Sequence, residues 1–272
     1  MTAAGIPAGA APGAALAARA RDLLAFEWIK LRSIRSNYIT MLAATAVTLG
    51  ATAVVAHALG ATRAHQQSLP ITPVTAGFLG YAEYLVLPLS VLAVLQFTAE
   101  YSTGLIRTTL AAVPQRWTEL AAKIAVVGAA ALAIGEVLAF ACFFLTQAIL
   151  SGRHGGLSLD APGVPGAVLA GGCLVCICAL TALGLGAIIR HTAGAITAAV
   201  AVIYGVAVLC LALPAPWKAD LGRFTIAFAA SQVLARHPQH NLFSPAASML
   251  VLFAWPAVTL VAAGLVLSRR DA

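Results

Sequence analysis

Six runs of about 20 to 27 apolar residues, parted by short polar breaks, occupy most of this 272-residue chain. A helix rises ~1.5 Å per residue, so ~20 residues cross a hydrocarbon core of ~30 Å. Inside lipid the backbone must satisfy its own hydrogen bonds, which leaves helices or closed barrels. The runs lack the alternation of a barrel strand, so helices remain. Composition agrees: 9% of the residues are charged and 61% hydrophobic, whereas a soluble domain carries ~25% charged residues. The expected fold is all-α, a polytopic membrane protein of six transmembrane helices. The spans fall at about 38–59, 77–98, 124–150, 166–189, 194–213 and 246–267, with Pro88 a kink in the second. The break at Arg190–His191 between the fourth span and the fifth is tight, which makes those two spans a helical hairpin.

Residues 1–18 are Ala, Gly and Pro with almost no charge, and read as a disordered tail. Residues 19–37 differ. Leu24, Trp28, Leu31, Ile34 and Tyr38 recur at helical spacing, flanked by Arg19, Arg21, Lys30, Arg32 and Arg35. That pattern suits an amphipathic helix lying in the headgroup layer. Glu27 interrupts the stripe near its middle. A plain basic segment leading into the membrane reads the same residues as well as a docking helix does.

The formal charge of +7 would suggest nucleic acid for a soluble protein. Here the cations sit between spans, where they set orientation, and the expected partner is the lipid bilayer, with no nucleic acid. With the N-terminus inside, eleven Lys and Arg lie on the cytoplasmic side against five outside. Both termini are therefore expected in the cytoplasm. The five cysteines (Cys142, Cys173, Cys176, Cys178, Cys210) all lie in apolar runs and read as small buried hydrophobes rather than a metal site or disulfide. Between the last two spans, residues 222–234 are apolar but too short to cross, as an interfacial or re-entrant segment would be.

Catalytic signatures are missing: there is no HExxH, Gly-x-Ser-x-Gly or Walker Gly-Lys-Ser/Thr. No cofactor or metal ligand set is expected, and energy must come from another polypeptide or an ion gradient. Glu83 and Glu136 are carboxylates inside spans two and three. Such groups mark a transport path or serve as polar glue between helices.

The connection after span two reads Glu100-Tyr101-Ser102-Thr103-Gly104-Leu105-Ile106-Arg107-Thr108-Thr109-Leu110, then Pro114-Gln115-Arg116, with Lys123 entering span three. Gly104 permits a sharp turn, Leu105, Ile106 and Leu110 can lie on the membrane, and Pro114 ends the element. The same residues also suit a solvated loop with basic anchors. This stretch, preceded by Glu27-Trp28-Ile29-Lys30-Leu31-Arg32-Ser33, resembles the permease subunits of ABC-2 type ATP-binding cassette transporters, above all small six-span actinobacterial ones.

The resemblance implies an N-terminal interface helix at 19–37, followed by an ABC-2 type transmembrane domain at 38–272. It implies a separate ATPase subunit that binds the ATP, a second permease copy as homodimer or heterodimer, and a multi-pass place in the cytoplasmic membrane of a prokaryote. By position, Glu27, Lys30 and Arg32 belong to the interface helix, and Glu100, Gly104, Arg107, Pro114 and Arg116 to the coupling loop. Residues 222–234 resemble the family's external re-entrant helices. One departure is Gly104-Leu105-Ile106, where the family often has Gly-Thr-Ile. The implied function is efflux of a drug, peptide or lipid-like molecule, without an ATPase site in this chain. The rivals are an ion-coupled carrier using Glu83 and Glu136, and a non-transporting membrane scaffold.

Overall fold

The structure, a computed structural model, describes residues 12–63, 73–104, 116–151, 158–234 and 243–269. Side chains at 12–20, 59–63, 73–83, 103, 116, 215, 216 and 219 lie outside that description. Among the described residues there are helices and no strands. In chain order they are α1 (Pro12–Ser33), α2 (Arg35–Arg63), α3 (Pro73–Thr103), α4 (Arg116–Ser151) and α5 (Val164–Ile189). Then come α6 (Thr192–Leu211), α7 (Ala215–Gly222), α8 (Ile226–Leu234) and α9 (Pro245–Arg269). Six of these, α2 to α6 and α9, are long and apolar enough to cross a bilayer.

Several elements differ from the sequence reading. The first eleven residues of the expected tail lie outside the description, and its remainder is already helical from Pro12. α1 stops at Ser33 and α2 starts at Arg35, so Ile34 is a one-residue elbow. Asn37 closes it, its side-chain amide donating to the Leu31 carbonyl at 3.1 Å, one of the carbonyls that the end of a helix leaves open. α4 begins at Arg116, well before the expected start of span three. The segment 222–234 divides between two elements. Gly222 ends α7, and Thr225 opens α8 by accepting a bond from the Phe228 amide at 3.3 Å. α8 then buries Ile226, Ala229 and Leu234 in the bundle.

α5 is the central helix, packed on α3, α4 and α9. Of its most apolar stretch 67% is buried, against 22% for α2 and 28% for α6, so the last two border the bundle. Glycines let the partners close in. A Cβ on Gly135 would stand 2.8 Å from the Gly172 carbonyl oxygen, and one on Gly184 would meet Thr259 at 2.8 Å. In lipid, where greasy surface gains little by leaving its solvent, such close contact is a main source of helix association. Among the described residues three features break the regular turns: Pro88 inside α3, a π-turn at Ala201–Gly205 within α6, and Pro256 inside α9.

Gly135→Val is therefore expected to lower the thermal unfolding midpoint of the detergent-purified protein, by the equivalent of ~1–3 kcal/mol. Gly50→Ala, with nothing within 4 Å of the added carbon, should leave it nearly unchanged. Equal midpoints for the two variants would refute glycine-mediated packing at α4–α5.

Candidate functional site

Where α1, the end of α3 and the start of α4 meet, five charged side chains converge. Lys123 is fully buried. Its ammonium donates to Glu27 at 2.7 Å and to Glu100 at 2.6 Å, and stands 3.7 Å from a Glu119 oxygen. Lys30 pairs with Glu27 at 2.8 Å and also donates to Glu100. The Phe97 ring, 5.2 Å from the Lys123 nitrogen, closes the remaining side.

Each helix supplies its part by simple spacing. Glu27 and Lys30 lie three residues apart on one face of α1. Phe97 and Glu100 share a face of α3 by the same interval, and Glu119 and Lys123 share one of α4 at four. Glu27, Glu100 and Glu119 are 3–4% exposed, and Lys30 and Lys123 balance Glu27 and Glu100 at bonding distance while Glu119 stands farther off. Oxygens of the three lie within 4.8 Å of one another, a spacing that could hold a metal ion. The cation among them here is the Lys123 ammonium.

The surroundings fix this junction in place. Trp117 lies against Gly264 of α9, where any side chain would strike the indole ring. Tyr101, next to Glu100, carries the Arg190 guanidinium 4.9 Å from its ring centre. Arg190 ends α5 in a left-handed conformation, φ 59°, with its amide bonded back to Gly186. His191 then caps α6, its Nδ1 accepting from the Gly194 amide at 3.3 Å. The end of α5 and the start of α6 thus adjoin the same corner.

Of the residues assigned from sequence, Glu27, Lys30 and Glu100 come together here. Arg32 stands apart, exposed, with its guanidinium 6.0 Å from the Trp28 ring. Gly104 ends α3 at φ +72°, exposed, in the left-handed region where glycine is at ease. Arg107 and Pro114 lie outside the described residues, and Arg116 opens α4 with its side chain undescribed. Glu83 sits on α3, likewise without a described side chain. Glu136, on α4, rests over Gly172, where a Cβ would collide with its carboxyl. Cys173 Sγ is 4.0 Å from one Glu136 oxygen, and the other oxygen has no hydrogen-bond partner. The Thr146 hydroxyl, also on α4, donates to the Cys142 carbonyl at 2.8 Å.

Sequence reading missed Lys123 and Glu119 as site residues. Lys123 counted only as an orienting cation. A Glu–Lys pair one turn apart at the mouth of an apolar helix is the signal that was available. It also set Glu27 against the apolar stripe of α1. In the structure Glu27 points inward, while Leu24, Trp28, Ile29 and Ile34 are exposed. All five cysteines are free thiols.

The sequence profile of a family described as ABC-2 family transporter protein matches residues 23–208, most of the chain. No curated protein matches it.

Removing one member of a buried ion cluster costs ~3–5 kcal/mol, because its partners are left uncompensated. Lys123→Met should therefore destabilise the protein strongly. Adding Glu27→Gln and Glu100→Gln to that variant should restore much of the loss, read as the thermal unfolding midpoint in detergent. A triple variant weaker than the single one would show that these charges are not compensating each other.

Proposed function

Because the chain belongs to the ABC-2 transporter family, we propose that it is the membrane-spanning subunit of an ATP-driven exporter energised by a separate ATPase. The observation that carries this reading is the buried charge cluster. It ties α1 to the end of α3 and the start of α4, which flank the connection at 105–115. A partner pressing on α1 or on that connection would move both together. Closure of the ATPase around ATP would then shift α3 and α4, and with them α5, which packs on both.

In this reading the cluster is the joint, Lys123 its centre, and Arg32, Gly104, Arg107, Pro114 and Arg116 belong to the surface that meets the ATPase. Both termini lie on the cytoplasmic side of a prokaryotic inner membrane. Two permease copies pair, with the thinly covered α2 and α6 the spans that have most surface to give. The cargo is a drug, peptide or lipid-like molecule. Glu136, with an unbonded carboxylate oxygen, and Glu83 are assigned to the transport path.

The test is co-expression with an ATP-binding cassette ATPase encoded beside the gene, then transport and hydrolysis in proteoliposomes. Glu100→Gln, which leaves two carboxylates against two ammonium groups, should keep the complex assembled yet reduce transport-linked hydrolysis about ten-fold, within the range of an ordinary coupling energy. Transport that persists without any ATPase and follows a proton gradient would overturn the reading in favour of an ion-coupled carrier. Separately, Glu136→Gln should slow transport while ATPase association stays intact. Unchanged transport would remove Glu136 from the path.

A further inference from the structure

On the membrane side of the charge cluster lies a cavity of about 60 Å³. Its walls include Leu31 beside the elbow, Met41 of α2, Gln96 of α3, Ala131 and Ile134 of α4, and Ala179 of α5. Nearly all of the lining is aliphatic. The exceptions are Asn37, whose amide already closes α1, and Gln96. Gln96 is 6% exposed, and among the described residues its carboxamide has no hydrogen bond. A buried amide left without partners costs ~1–3 kcal/mol, so a ligand that bonds it recovers that loss.

We propose that this cavity binds a neutral single-chain amphiphile, its hydroxyl, ester or amide group bonded to Gln96 and its apolar chain among the aliphatic walls. Three features select that class. A single water needs only ~10–15 Å³ and several polar partners, so the space is too large and too apolar for one. A charged headgroup would find no counter-ion, because the nearby Glu27, Lys30, Glu100 and Lys123 are already paired. A carboxamide offers both donors and an acceptor without charge, which suits a hydroxyl or ester. The ligand comes from the leaflet nearest α1. Gln96 lies one turn from Glu100, Leu31 adjoins Lys30, and Val127 lies one turn from Lys123. The occupant therefore rests against the cluster. Binding itself does not depend on an ATPase.

The experiment uses the full chain in phosphatidylcholine nanodiscs and a monoacylglycerol carrying a diazirine on its acyl chain. After illumination, mass spectrometry should find adducts on the α3 and α4 peptides around Gln96 and Ala131, suppressed by excess plain monoacylglycerol. Gln96→Leu should weaken that competition about ten-fold, the equivalent of one hydrogen bond. Ala130→Leu, which fills the cavity and keeps the amide, should abolish those adducts while the unfolding midpoint stays near the parent value. Adducts spread over the outward faces of α2 and α6 and indifferent to both variants would overturn the proposal. Equal competition by lysophosphatidate would overturn the neutral class.

Discussion

A lysine ammonium without access to water must be surrounded by opposite charge, and Lys123 obtains that charge from three helices. Taking one ion out of water costs several kcal/mol, offset only when counter-charges stand at bonding distance. Glu119 comes with Lys123 on α4, but Glu27 and Glu100 must be brought by α1 and α3. The arrangement of those helices is thereby constrained: any other register would leave a buried cation against the Phe97 ring with Glu119 alone to balance it. Lys30 supplies the second cation from the half-exposed side. Apolar packing in lipid is permissive about how helices rotate. An ion cluster is not, and this one sets the corner from which the rest of the bundle is built.

Central packing has a different origin. α5 touches α3, α4 and α9 because its glycines at 172, 184 and 186 admit side chains and backbone from those neighbours. Gly172 receives the Glu136 carboxyl, Gly184 receives Thr259, and Gly186 receives the backbone of Val94. The corner specifies orientation and the glycines allow closeness.

The six spans were legible because a hydrocarbon slab imposes length and apolarity on any crossing helix. Their ends were less so. Hydropathy places the start of span three at residue 124, where the polar residues stop, yet α4 reaches back to Arg116. Glu119 and Lys123 interrupt the apolar run without interrupting the helix: they face each other on α4, and Glu27 and Glu100 reach Lys123 from two other helices. On α1 the stripe residues Leu24 and Trp28 stay exposed, as residues facing lipid would, and what periodicity does not carry is that Glu27 turns inward to the buried ammonium of Lys123. The split of 222–234 at Thr225 and the π-turn of α6 depend on capping and tertiary fit, which no periodicity carries.

The elbow at Ile34 gives α1 the geometry of a beam on a pivot. Pro12 lies 22 residues from that pivot and Glu27 only seven, or ~33 Å and ~10 Å along a straight helix. A tilt that sweeps Pro12 through a given arc moves the carboxylate of Glu27 through about a third of it. Distant displacement is geared down to a small shift at an ion pair, where fractions of an ångström change the energy most.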